Sequence, residues 1–279
     1  MPPCYRSIDH IMLRLPAAEP LFDLFNNVFE LPVAWPLQRA GFATFGWVHA
    51  GNTDLEFWAA TDNSDLPSHA PPPLVHGFAL EPVLPLSLAL DSAEACGIAT
   101  KPARPFQSLN ATGEVVTNFT NAVLLDVSAP SCCVFFCEWH PGAAIYPWDE
   151  ALTPVQRRAR LRQALRGCGG GPLGLIGLHA MRMETPDLAV HRRHWEALAG
   201  PPRGQVIALT PDISLELVPG AHLRVQSLSF SVRSLAQARR FLASRQLLAG
   251  DAGNVLLVDC AGLDIRLVEL EGPDTNKQA

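Results

Sequence analysis

Four glutamates lie inside otherwise apolar, strand-like text. They are Glu56 (Asp54-Leu55-Glu56-Phe57-Trp58), Glu138 (Phe136-Cys137-Glu138-Trp139), Glu216 (Ser214-Leu215-Glu216-Leu217) and Glu269 (Leu267-Val268-Glu269-Leu270). A carboxylate buried without a partner is costly, so its repeated appearance in such text needs a reason. Earlier apolar strands carry His10, His76, His179 and Ser227 at matching places. Imidazole and carboxylate groups move protons near neutral pH and bind divalent ions. A lone strand histidine is most often a satisfied core residue; the recurrence favours a site.

The elements that would position these groups recur as well. Ser7–Leu15 alternates, with Ile8, Ile11, Leu13 and Leu15 suited to a core and His10, Met12 and Arg14 on the other face. A helix opens at Glu19-Pro20, with Leu21, Leu24, Phe25 and Val28 as its apolar stripe. Strands are expected at Val33–Gln38, Phe42–Val48 and Asp54–Ala59, with Gly51-Asn52 turning between the last two. The order then repeats: strand His76–Leu80, helix Leu84–Ala95 closed by Gly97, and strands near Thr100–Phe106, Val123–Ser128 and Cys133–Trp139. Gln107–Thr120 reads as a long loop. Two further rounds begin at Leu175–Met183 and Val225–Val232. The third has a helix from Thr185-Pro186 to Leu198 and strands at Val206–Leu209 and Ile213–Val218. The fourth has a helix from Ser234 through Leu248 and strands at Val255–Asp259 and Leu263–Leu270. The fold class is α+β: a β-α-β-β-β unit repeated in two pairs. Between the pairs, Thr153-Pro154 caps a basic helix bearing Arg157, Arg158, Arg160, Arg162 and Arg166, which reads as a solvated connector rather than an anion patch.

This ordered set, above all Ile8-Asp9-His10-Ile11 and Gly51-Asn52-Thr53-Asp54-Leu55-Glu56, resembles the vicinal oxygen chelate superfamily, which includes glyoxalase I, extradiol dioxygenases and bleomycin resistance proteins. The resemblance implies a glyoxalase-like domain at 5–140, a linker at 141–173 and a second such domain at 174–271. It implies that His10, Glu56, His76 and Glu138 converge on one divalent ion (Fe, Mn, Ni, Co or Zn), with two positions left for water or substrate oxygens. Glu138 or Glu56 would move the proton. Met12, Arg14, Trp58, Phe78, Leu80, Phe136 and His140 would line the pocket, and Tyr146 and Trp148 would cover its mouth. The second pair, His179, Glu216, Ser227 and Glu269, reads as degenerate because serine is a poor ligand for these metals.

The expected function is metal-dependent, redox-neutral isomerase or lyase chemistry on a small substrate with vicinal oxygens and an apolar part. Two alternatives stay open. One is an extradiol-type dioxygenase using His10, His76 and Glu138. The other is a protein that binds a drug or metabolite without chemistry. The chain of 279 residues, 48% hydrophobic and 17% charged, is globular. A net charge of −6 argues against nucleic acid as a partner. No apolar run approaches the ~20 residues of a membrane span, and no signal-peptide h-region follows Met1. Seven cysteines without a disulfide or zinc spacing suggest a reduced, cytoplasmic protein, monomer or homodimer, whose partner is a small molecule.

Overall fold

The computed structural model describes residues 3–144, 152–201, 204 and 206–270. Tyr146 and Trp148 lie outside them. The first unit runs β1 (Tyr5–Arg14), α1 (Glu19–Asp23), β2 (Val33–Arg39), β3 (Ala43–His49) and β4 (Asp54–Ala60). Helix α1 has Pro20 in its first turn and widens into a π-helical turn at Leu24–Val28. The second unit runs β5 (Leu74–Pro82), α2 (Leu86–Ala95), β6 (Arg104–Leu109), β7 (Val115–Val123) and β8 (Cys133–Trp139). Strand β4 pairs parallel to β1, β8 pairs parallel to β5, and β1 pairs antiparallel to β5. The strands therefore follow the order β2-β3-β4-β1-β5-β8-β7-β6.

After α3 (Pro154–Gly167) the plan recurs. The third unit has β9 (Leu175–Thr185), α4 (Leu188–Ala199), β10 (Ile207–Ala208) and β11 (Ser214–Pro219). The fourth has β12 (Arg224–Val232), α5 (Leu235–Ser244), β13 (Leu248–Asp251), β14 (Val255–Cys260) and β15 (Leu263–Glu269). Strand β9 pairs antiparallel to β12, as β1 does to β5. Among the described residues the third unit has two strands after its helix. The arrangement is the expected α+β one: β-α-β-β-β modules in two pairs.

Three elements differ from expectation. Gln107–Thr120 is not a loop but most of the β6–β7 hairpin. Its tip is an Asn110–Gly113 turn in which Asn110 Oδ1 accepts from the backbone N–H of Thr112 and Glu114. Val123–Ser128 is mainly a 3₁₀ turn at Leu125–Val127, and the strand lies before it. The last helix ends at Ser244, because Gln246 takes a positive φ of 58° and the chain then turns into β13.

Helices α1, α2, α4 and α5 cover one side of the sheet and bury the larger core, which draws residues from both halves. The opposite face of the first half curls around a smaller core of Trp35, Phe45, Trp47, Ala79, Phe119, Phe135 and Cys137. Leu161 of α3 belongs to it. The connector helix is therefore not a solvated rod. Thr153 and Gln156 close its N-terminus as a complete capping box. Arg157 is buried, donating to the carbonyls of Ala143 (2.5 Å) and Leu152 (3.2 Å).

The two halves also meet outside the larger core. Asn52 Nδ2 donates to the Leu178 carbonyl at 2.9 Å, and Asn52 Oδ1 accepts the Leu178 N–H at 2.8 Å. Gly51, with φ of 95°, lies where a Cβ would meet the Ile176 carbonyl at 2.0 Å.

Candidate active site

The concave face of the first eight strands encloses a cavity of about 500 Å³. His10, Met12, Arg14, Glu56, Trp58 and His76 line it, with Trp35, Phe45, Trp47, Phe106, Phe119 and Phe135. Size and lining suit an apolar small molecule. The alternation of β1 and β4 brings the expected residues inward: Met12 sits beside Glu56 and Arg14 beside Trp58 in the parallel register.

His10 is almost wholly buried, and its ring lies 4.2 Å from that of Trp47. Its Nδ1 donates to Asp9 Oδ2 at 2.8 Å, and its Nε2 stands 3.7 Å from Glu56 Oε2. A bulge-like register shift between Ile8 and Ile11 lets Asp9 and His10 share one side of the strand. Asp9 also accepts from Trp139 Nε1 at 3.0 Å and from Arg158 at 3.0 Å. Burial alone would lift the Asp9 carboxyl, but the His10 bond and charge and the Arg158 charge hold it below its ordinary value. Burial would lower His10, and Asp9 outweighs it, so the imidazole is raised above its ordinary value. Burial raises Glu56, with His10 opposing.

Other expected residues fall elsewhere. Glu138 points away from the cavity and accepts the Leu86 backbone N–H at 3.0 Å, which caps α2. Glu269 does the same for α5 through Leu235 at 2.9 Å. Both α2 and α5 thus receive a carboxylate at the positive end of the helix dipole. Phe78, Leu80 and Phe136 belong to the helix-side core, where Phe78 stacks on Trp195 of α4. His140 bonds Thr120 at 2.9 Å and does not line the cavity. On β8 the inward residues are Cys133, Phe135 and Cys137, one place off the expected register, and a one-residue slip exchanges the faces. On β5, Gly77 takes a φ of 129° and lies where a Cβ would meet the Cys133 carbonyl at 1.9 Å. That irregularity keeps His76 on the cavity wall while Phe78 turns to the core.

His76 Nε2 donates to the Pro130 carbonyl at 3.0 Å. Desolvation lowers its pKa, with Arg14 adding to the effect. Arg14 itself is buried and tied to Asn63 (2.8 Å), the Asp62 carbonyl (2.9 Å) and Asp65 (2.8 Å), not to Glu56.

The four-ligand set is therefore not assembled. Among the described residues, the potential ligands with donor atoms within 4.8 Å of one another are Asp9, His10 and Cys137. They form a candidate metal-binding group, but its chemistry is crowded. Asp9 already accepts Arg158 and Trp139, and burial holds the Cys137 thiol well above its ordinary pKa, disfavouring the thiolate a metal needs. The donors present do not fit the expected ion as arranged.

The second half lacks the constellation. Ala180 pairs with Ser214 and Arg182 with Glu216, as His10 pairs with Asp54 and Met12 with Glu56. By that register Ala180 replaces His10, and His179 takes the place of Asp9. Ser227 matches Gly77, and Gln226 matches His76. Glu216 is exposed beside Arg182 at 3.6 Å. Asp9, Arg158 and Cys137, with the lining residues Trp35, Phe45, Trp47, Phe106, Phe119 and Phe135, are site residues that the sequence did not single out. An Asp preceding the strand histidine was the available signal for the first.

No family model matches the chain, and no curated protein does. Solved structures do. The homoprotocatechuate 2,3-dioxygenase of Arthrobacter globiformis is 13% identical, with a TM-score of 0.58 over 98% of this chain and 84% of that one. The 2,3-dioxygenase LapB of Pseudomonas sp. KL28 is 13% identical, with a TM-score of 0.58 over 98% and 94%. A hypothetical protein from Staphylococcus aureus is 10% identical, with a TM-score of 0.56 over 95% and 99%. At these identities the likeness is one of fold: β-α-β-β-β modules in two pairs.

Proposed function

We propose that the chain is a vicinal oxygen chelate enzyme performing redox-neutral proton transfer, of isomerase or lyase type, on an apolar small molecule held in the first-half cavity. The observation that carries this is the pair His10 Nε2 and Glu56 Oε2, 3.7 Å apart in the cavity wall, with Asp9 behind His10. Two proton-holding groups then flank one ligand atom. His10 takes a proton while Asp9 stabilises the imidazolium, and Glu56, with its raised pKa, returns one. The aromatic wall keeps water out and favours a substrate with a flat apolar body.

The test is deuterium incorporation from D2O into a panel of apolar carbonyl compounds, read by mass spectrometry. Wild type should catalyse exchange at carbon. His10→Ala and Glu56→Gln should each lose about 10²-fold or more, and Glu138→Gln should not. Binding without exchange in any compound would make the protein a binder.

The second reading is an extradiol-type dioxygenase, supported by the fold of its structural neighbours. It requires a divalent ion, which the donors as arranged do not suit, so metal analysis of the purified protein is its first test. Oxygen consumption with Fe(II) or Mn(II) and a catechol panel would establish it. A small molecule as the partner, a monomer or homodimer, and cytoplasmic residence belong to the same proposal. The seven cysteines are free thiols, and among the described residues no helix is long and apolar enough to cross a membrane.

A further inference from the structure

We propose that helix α3 buttresses the cavity wall from behind Trp35 and Trp47 and that its Arg158 is a positioning residue, holding Asp9 so that Asp9 fixes the ring orientation and tautomer of His10. The proposal rests on the reading that His10 moves the proton.

Asp9 is 6% exposed, and a carboxylate at that depth needs a counter-charge. Arg158 supplies it from a helix far away in sequence. One nitrogen of its fork reaches Asp9 on β1, and the other reaches Glu81 on β5. Glu81 is held in turn by the Ser7 hydroxyl at 2.7 Å. The planar guanidinium thus spans the two central strands of the half, which a single ammonium does less well. With Arg158 and the Trp139 indole on Asp9, the remaining acceptor direction of the carboxylate meets His10 Nδ1 at 2.8 Å. That bond decides which ring nitrogen faces Glu56.

The helix cannot slide, because its flanks are tied down. Arg157 is buried under the Ala143 carbonyl, Leu161 enters the smaller core, and the capping box fixes the start. A void of about 40 Å³ separates α3 from the strands. Trp35 and Trp47 border it and also line the main cavity, so α3 sits one indole layer from the ligand space.

The experiment is ¹⁵N NMR of the His10 ring in the full chain, with Arg158→Met, Arg158→Lys and Leu161→Ala beside wild type. Wild type should show a protected Nδ1–H that exchanges slowly with water. Arg158→Met should lose that protection, and Arg158→Lys should recover part of it. Leu161→Ala should lower the melting temperature while leaving the His10 signal in place. In the exchange assay Arg158→Met should fall at least about tenfold. An Arg158→Met protein that melts earlier yet keeps the wild-type His10 spectrum would reduce Arg158 to a structural role and overturn the proposal. If Arg158→Met does not fold, Arg158→Gln carries the test: a His10 spectrum identical to wild type overturns the proposal, and a weakened Nδ1–H upholds it. If the spectrum depends on Arg158 but His10→Ala leaves exchange intact, the acid–base reading fails while the positioning stands.

Discussion

Glu56 and Glu138 carry the same chemistry and meet opposite fates. Glu56 faces an apolar cavity, where burial raises its pKa against His10 and the Trp47 indole. A raised carboxylate contributes stability that is full below the ordinary carboxylate range and lost as pH rises through the raised value. His10 is also raised, so its contribution is full below about 6.5 and is lost as pH climbs through its folded value. Asp9 is lowered, so its contribution holds above about 3.9 and is lost as pH falls through its folded value. The melting temperature should therefore be highest in mildly acidic solution and decline toward alkaline pH. Glu56→Gln should flatten part of that decline, and a profile that rises from pH 6 to 9 would contradict the assignment. Glu138, by contrast, caps α2, whose own N-cap position is held by Pro85 with no side-chain bond. Glu138→Ala should cost about 1 kcal/mol in denaturant unfolding and leave ligand binding unchanged. Nothing in the residue types separates these two glutamates. Their difference is a one-residue register, visible only once the strands are paired.

At the scale of elements, what could be read from the chain was what alternates locally. β1 and β4 keep strict period two through His10, Met12 and Arg14 and through Glu56 and Trp58, and those residues do line the cavity. β5 and β8 defeat the same reasoning. The irregularity at Gly77 adds a residue on one face, so counting outward from His76 puts Phe78 on the wrong side. Gly77→Ala should destabilise the protein by several kcal/mol, on the order of ~3, because it meets both a positive φ and the Cys133 carbonyl. Helix α3 was misread for another reason. Its sequence carries five arginines in fourteen residues with a thin apolar stripe, and long-range partners such as Asp9 and Glu81 leave no trace in local pattern. Leu161→Ala offers a direct measure: a solvated connector would lose less than about 0.5 kcal/mol, whereas a leucine packed in the smaller core should cost about 2–4 kcal/mol by denaturant titration.

Across the whole molecule the repeat order was legible, and the way the halves share a core was not. Trp195 of α4 is fully buried against Phe78 of β5, and Phe29 meets Phe241 of α5 at 6.3 Å. Val75 pairs with Val225 across the halves, Ser131 donates to the Leu223 carbonyl at 2.9 Å, and Asn52 holds Leu178 from both sides. The division at 5–140 and 174–271 is thus a division of pattern, and its proposed domains lean on each other's apolar surface. Splitting them would uncover Phe78 and Phe29, residues whose burial is worth about 1.5–3 kcal/mol each. It would also leave Leu178 and Asn52 without the partners they give each other. Since a whole domain is stable by only about 5–15 kcal/mol, the loss is large enough to decide folding. The full chain should unfold in one cooperative transition, with tryptophan fluorescence and far-ultraviolet circular dichroism coinciding. The fragment 5–140 made alone should bind hydrophobic dyes and lack a sharp melting transition. A fragment that melts cooperatively near the temperature of the full chain would show that each half is sufficient, and that the contacts through Asn52 and Trp195 only dock two finished domains.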